Sequence, residues 1–198
     1  VVVSLHVPPG AFEAAADSVR GATYRSEVRV HEIRSPAGLA PNSIAFAGDV
    51  DPMADEGDSE VGTGRFILLH DPDEPDAWHS DFRVVTFAQA PLEPEIGVDP
   101  FVSEVAWAWL VDALAARGAD YTHASGTATI INSRGFGELE SQGVGAQIEI
   151  RASWTPRDTA FAAHAEAWGD LLCLLAGLPP VETDDVAVLR PRRGPRGS

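Results

Sequence analysis

DPFVSEVAWAWLVDALAARG, residues 99–118, is the stretch on which the reading of this chain turns. Asp99 can cap a helix start, and Pro100 suits the first helical position, where its missing N–H is not needed. Glu104 sets a carboxylate against the positive end of the helix dipole, and Arg117 followed by Gly118 is a stop signal. Val102, Val105, Ala106, Trp109, Leu110, Ala113 and Leu114 recur at helical spacing and form one apolar stripe, with Trp107 beside it. A helix here divides the chain into a strand-rich first half and a hairpin-plus-helix second half.

Working outward from that helix, the preceding segments read as four strands. They are FRVVTFAQA (82–90), the continuous apolar run RFILLH (65–70), SIAFAG (43–48) and EVRVHEIR (27–34), separated by Pro, Gly, Asn and Asp clusters. An amphipathic helix, AFEAAADSVR (11–20), comes before them. On the other side, residues 119–132 form a long strand whose Ala, Gly and Ser residues allow close packing. Residues 133–145 make a hairpin loop. Residues 146–154 then alternate: Ala146, Ile148, Ile150, Ala152 and Trp154 face one way, Gln147, Glu149, Arg151 and Ser153 the other. Asp158 is placed to cap a last helix over residues 159–177, with a stripe of Phe161, Ala165, Trp168, Leu172 and Leu175.

The resulting order is α-β-β-β-β-α-β-β-α. Strands joined by hairpin-sized loops point to an α+β domain, a mainly antiparallel sheet with helices on one face. With 198 residues and 44% hydrophobic content, a single domain over residues 1–180 is expected. Residues 181–198, acidic at first and then arginine-rich, are expected to be a disordered tail.

Charge narrows the function. The net charge is −16, and all 14 basic residues are arginine. Four of these (Arg190, Arg192, Arg193, Arg196) fall in the last nine residues, leaving 10 basic against 30 acidic residues up to Leu189, a balance of −20. Such a surface repels phosphate backbones and anionic membranes; it reads first as a solubility device and, more sharply, as attraction for a basic partner. No window reaches the ~18 apolar residues of a membrane span. Residues 1–7 are apolar but lack the basic flank of a secretory signal. The single Cys173 lies in an apolar helix with no basic neighbour in sequence, so it reads as an inert buried thiol in a reducing cytoplasm.

Catalytic signatures are absent. There is no Gly-x-Ser-x-Gly elbow and no phosphate-binding loop, and Gly135-Phe136-Gly137 lacks the context of a dinucleotide site. The acidic stretch 49–64 is expected to be a mobile loop. Its carboxylates fail the spacing of a calcium loop, since Met53 and Ala54 fall at the fifth and sixth positions. One Cys and six scattered His do not make a structural zinc site, and no metal or cofactor is expected. His70, Asp71, His79 and Asp81 bracket a second acidic loop and form a candidate acid–base or metal cluster. Tyr121 and His123 share a strand face with Ser125, Thr127 and Thr129, a polar face suited to lining a pocket. His164 reads as a boundary residue. Trp78, Trp107 and Trp154 are candidate anchors for a partner, although the phase of Trp154 puts it with the core.

The segments FRVVTFAQAPLEPE, VAWAWLVDAL, TATIINSRGFGELE, QIEIRASWTP and HAEAWGDLLCLLAGLPP resemble an actinobacterial family of unknown function, over about residues 11–180. That resemblance implies a cytoplasmic bacterial protein and carries no catalytic residues. The element order is also similar to type III secretion chaperone-like folds, with one strand more in the first half. That similarity implies binding of extended partner segments and a homodimer. The leading expectation is therefore a non-enzymatic acidic binding or chaperone-like module for a protein partner. The rival readings are an enzyme using His70, His79, Asp71 or Asp81, and an RNA-associated accessory protein using the arginine tail.

Overall fold

Along the strand Val144–Pro156, Ile148, Ile150, Ala152 and Trp154 are buried, while Glu149, Arg151 and Ser153 between them are not. Period-two burial of this kind requires a sheet covered on one side only. The computed structural model describes residues 10–51 and 61–180 and shows that arrangement. The elements are α1 (Ala11–Arg20), β1 (Val28–Ile33), β2 (Asn42–Val50), β3 (Gly62–His70), β4 (Phe82–Leu92), α2 (Val102–Ala116), β5 (Tyr121–Arg134), β6 (Val144–Pro156) and α3 (Phe161–Leu175). Short 3₁₀ turns occupy Ile96–Val98 and Gly137–Gln142. The six strands form one antiparallel sheet in the order β1-β2-β3-β4-β6-β5. This is the α+β domain, with the element order, that the sequence pattern predicts.

The three helices roof one face, and α3 lies at the centre of that roof. Its Trp168 sits over the backbone of β2 and β3 where two glycines, Gly48 and Gly64, stand opposite one another in register. A Cβ on Gly48 would come 2.7 Å from the Trp168 ring, and one on Gly64 would come 2.7 Å from Leu172 and 3.0 Å from the indole nitrogen. The indole N–H donates to the carbonyl of Phe87 at 3.2 Å. Phe66 packs against the ring with centroids 5.9 Å apart, and Tyr24 meets it edge-on. Trp168 is fully buried and uses both its apolar body and its polar handle.

Both long helices end as their sequences specify. Gly118 takes φ +66°, and the amides of Gly118 and Ala119 donate to the carbonyls of Ala115 and Leu114. Gly177 and Leu178 repeat the pattern at the end of α3. These are paired C-terminal closures that only a residue at ease with positive φ completes cheaply. The helix starts differ from expectation. α2 begins at Val102, and the Asp99 carboxylate accepts the Phe101 N–H at 2.9 Å in a turn ahead of the helix. Asp158 does the same for Ala160 before α3. An Asx turn satisfies the same kind of donor as a cap, so the sequence signal is shared and the boundary moves. The α2 stripe is also narrower than its periodicity suggests: Val102, Ala106, Leu110, Ala113 and Leu114 are buried, whereas Val105 is exposed and Trp109 half-buried.

A tie between helices closes the roof. Arg117 at the end of α2 forms a two-pronged ion pair with Asp170 of α3 at 2.6 and 2.9 Å and reaches Glu166 at 3.1 Å. Glu166 in turn accepts the backbone N–H and hydroxyl of Thr23. Cys173 is fully buried, and burial pushes its thiol up to about 11, so it stays protonated at neutral pH. No helix among the described residues is long and apolar enough to cross a membrane. Much of the expected acidic loop, residues 52–60, and the tail 181–198 with its four arginines lie outside the described residues.

Gly64→Ala is expected to destabilise the fold by about 1–3 kcal/mol, because the added methyl meets the carbonyl of Phe87 at 2.6 Å as well as Leu172. A drop in the urea midpoint at unchanged m-value measures this.

Candidate binding face

Among the described residues, the side of the sheet away from the roof carries no helix. Alternation along each strand determines what it displays, and antiparallel register lines the residues up in rows across the sheet. One row runs Arg65–Phe87–Arg151–Thr127 through β3, β4, β6 and β5. The next runs Ile67–Val85–Ser153–Ser125. Together these eight side chains line a shallow depression of about 640 Å³. Its floor is half-buried Ile67, Val85 and Phe87, and its rim carries the exposed Arg65 and Arg151. Arg151 lies 5.3 Å from the Phe87 ring centroid and pairs with Glu149 at 2.5 Å. Phe87 is thus flanked by an arginine on each side.

A third arginine, Arg83, lies beside this row and is only 8% exposed. Its guanidinium donates to the carbonyl of His123 (3.0 Å) and to the hydroxyls of Thr155 (2.9 Å), Ser153 (2.7 Å) and, at 3.4 Å, Ser125. None of these partners is a carboxylate. Desolvation pulls the Arg83 pKa below the usual arginine value. The group nevertheless stays charged at any physiological pH, since arginine starts so high. A buried cation held by neutral acceptors is not neutralised by an ion pair.

The polar strand face expected from Tyr121 to Thr129 takes part here, because Ser125 and Thr127 line the depression. A bulge between Thr122 and Ser125 swings His123 out of the ladder at φ +50° and aims its carbonyl at Arg83. The displaced His123 ring stacks on His79, itself at φ +56°, with centroids 3.9 Å apart. Positive φ in a non-glycine residue costs about 1–3 kcal/mol, and here the surrounding hydrogen bonds hold it.

The candidate cluster His70, Asp71, His79 and Asp81 is only partly assembled. His70 is buried between Phe12 and Phe82, with its Nδ1 3.1 Å from the Asn42 amide and its Nε2 3.8 Å from Asp81. His79 turns away to His123, and Asp71 closes a local turn by accepting the Asp73 N–H. Among the described residues no group of three or more His, Cys, Asp or Glu side chains is arranged to hold a metal ion.

Asp81 instead shares a second depression, of about 460 Å³, with Asp158. Behind Asp158 sits the fully buried His164, whose Nδ1 accepts the Trp154 indole N–H at 3.0 Å. An indole nitrogen can only donate, so the His164 proton resides on Nε2, 3.5 Å from Asp158. Asp158 in turn accepts the backbone N–H of Asp120 at 2.9 Å. Two hydrogen bonds, Trp154 to His164 and Asp120 to Asp158, thus flank a 3.5 Å approach of His164 to Asp158 that is not itself a hydrogen bond. Protonating Nδ1 would break the first of them, and burial holds the His164 pKa below the ordinary imidazole value.

Of the three candidate anchors, Trp154 is removed from consideration as a contact: it is fully buried, because its strand phase faces the helices and its N–H is engaged by His164. Trp107 is half-buried against Gly126 of β5, and Trp78 is half-buried with its carbonyl accepting the Thr155 hydroxyl. Sequence reasoning did not single out Arg65, Arg83, Phe87 and Arg151 as one site. The signal for it was the set of alternate positions left over after the core was assigned on adjacent strands.

The fold and this face define an α+β domain with a helix roof over one side of its sheet and a bare, arginine-flanked depression on the other. The chain belongs to the family described as "Protein of unknown function (DUF3000)", whose model matches residues 8–186. No curated protein and no solved structure matches the chain.

Because His164 binds its proton less readily in the folded state than in the unfolded chain, stability is fully present above the ordinary imidazole pKa of about 6.5 and declines as pH falls below it. His164→Asn keeps an acceptor for the indole without titrating. Between pH 7.5 and 5.5, chemical denaturation of this variant is expected to show a pH slope smaller than wild type by up to about 1.4 kcal/mol per unit.

Proposed function

We propose that this chain is a non-enzymatic binding module that takes a protein partner on the bare face of its sheet. The observation that carries the reading is the row Arg65–Phe87–Arg151, with the buried Arg83 on the far side of the neighbouring Val85–Ser153 row. On a chain of net charge −16, this gathers cations around half-buried apolar side chains. An apolar side chain on that floor, flanked by carboxylates, complements both features. The partner segment is therefore an acidic one bearing an aromatic or aliphatic anchor. Electrostatic complementarity would guide its approach, and Phe87, Val85 and Ile67 would supply the contact area.

This reading relocates the contact surface expected from the tryptophans and reverses the expected sign of the partner, since Arg65 and Arg151 are the charged residues that flank the apolar floor. It also fits the absence of a nucleophile–base pair around the depression among the described residues: Ser125 and Ser153 are hydrogen-bonded to Arg83 and to each other, with no imidazole against either hydroxyl. An arginine holding a serine hydroxyl as acceptor offers no base to remove its proton.

Fluorescein-labelled ten-residue peptides with a central Phe or Leu flanked by Asp and Glu test the idea, alongside the same peptides flanked by Arg. Wild type is expected to prefer the acidic set. Arg65→Glu/Arg151→Glu should weaken that binding at least about tenfold, or about 1.4 kcal/mol, with the melting temperature nearly unchanged. Equal binding of both peptide sets, or an unaltered affinity in the double variant, rejects the reading.

A further inference from the structure

The two edges of the sheet are built in opposite ways. β1 is six residues long and carries Arg29, His31 and Glu32, with Arg29 paired to Asp51 and Glu32 to Arg20. Short length and charge are the usual defences of an edge strand. β5, at the other edge, is 14 residues long and, among the described residues, pairs with β6 alone. Between Asp120 and Arg134 it has no Asp, Glu, Lys or Arg, although 22% of the chain is charged. It contains no proline, and its one irregularity, the bulge before Ser125, leaves Ser125–Arg134 in unbroken register. Ten of its 14 residues are exposed and the other four are half-buried. Half of its backbone N–H and C=O groups point away from β6, as in any edge strand.

Exposed apolar side chains gather at the same edge. Of the nine large ones left exposed among the described residues, eight belong to the β5–β6 hairpin or to the segment 96–105, whose 3₁₀ turn and helix contact β5. Ile131, Phe136, Leu139 and Val144 belong to the β5–β6 hairpin, and the other four fall within residues 96–105. The two groups are joined by the Asn132 side chain, which donates to the Gly97 carbonyl at 3.0 Å. A monomer with a long, uncharged, apolar-flanked edge presents a template for another strand.

We infer that the β5 edge is the interface for a second copy of this chain, joined antiparallel to give a continuous twelve-stranded sheet. The choice of a second copy follows from self-complementarity. A two-fold axis perpendicular to the sheet keeps the bare faces on the same side, which obliges one residue to face its own copy. With Thr129 on the axis, Thr127 meets Ile131 of the partner subunit and Ser125 meets Ser133 of the partner subunit. On the helix side Ala128 meets Ile130 of the partner subunit and Gly126 meets Asn132 of the partner subunit. Small residues face larger ones, hydroxyls face hydroxyls, and no like charges oppose. An uncharged strand is what self-pairing demands, because a charge close to the axis repels its own copy. The joint also sets the two bare depressions side by side, since Ser125 and Thr127 belong to both features. It does not depend on what those depressions bind.

The full chain at about 100 μM, examined by light scattering behind size exclusion, is expected to show twice the 21.0 kDa of one chain. Association should tighten from about 0.05 to about 0.5 M salt, because screening relieves the repulsion between two copies of charge −16. Thr127→Arg/Ile131→Arg places like charges opposite one another and is expected to give a monomer with unchanged circular dichroism. Thr127→Glu/Ile131→Arg places opposite charges in the same two rungs and is expected to stay dimeric. A monomeric wild type overturns the inference. So does a dimer indifferent to Thr127→Arg/Ile131→Arg, or the loss of the dimer in both double variants.

Discussion

The structure depends on the contact between one indole and two glycines. Trp168 reaches the sheet only because Gly48 and Gly64 stand opposite each other and leave its ring room to rest on backbone. From that point α3 is fixed in height and rotation, and α2 is then held to α3 through Arg117 and the Asp170–Glu166 pair. The indole N–H on the Phe87 carbonyl places the same contact directly behind the bare face. The residue that forms the floor of the depression is thus tethered, through its own carbonyl, to the centre of the roof.

Such coupling explains the division of labour along β4 and β6. Each alternates a buried side chain with one displayed on the far side, so the core residues Val84, Ala88, Ile150 and Trp154 determine the spacing of Val85, Phe87, Arg151 and Ser153. The arginines of the bare face sit on rigid central strands instead of loops. Arg83 shows how far this goes: its charge is buried and its donors are distributed over hydroxyls of two neighbouring strands and a carbonyl delivered by a bulge. Removing water from a cation is costly, and multiple hydrogen bonds offset that cost without neutralising the charge.

Much of the architecture was legible in the sequence for simple reasons. The alternation of residues 146–154 and the spacing of residues 102–114 each reflect one-sided burial, and Gly118 and Gly177 mark real stops. Helix starts were less legible, because Asp99 and Asp158 close Asx turns with the same donor chemistry as a cap. The site was harder still. Arg65, Phe87 and Arg151 are far apart in sequence and become neighbours only through register across three strands, which no local pattern encodes. His70 and Asp81 do approach each other, but His79 is drawn off by its stacking on His123, an effect of a bulge 44 residues later in the chain. The indole of Trp154 was ambiguous by type and settled by strand phase.

The position of β6 between β4 and β5 has a consequence for synthesis. The chain makes β4, then α2, then β5, and only afterwards the strand that must be inserted between them. Until residues 144–156 leave the ribosome, the native partner of β4 on that side does not yet exist. α3, which supplies the indole that locks the roof, emerges later still. A nascent chain paused near residue 140 would therefore expose the surfaces most prone to wrong association, with their native cover not yet made.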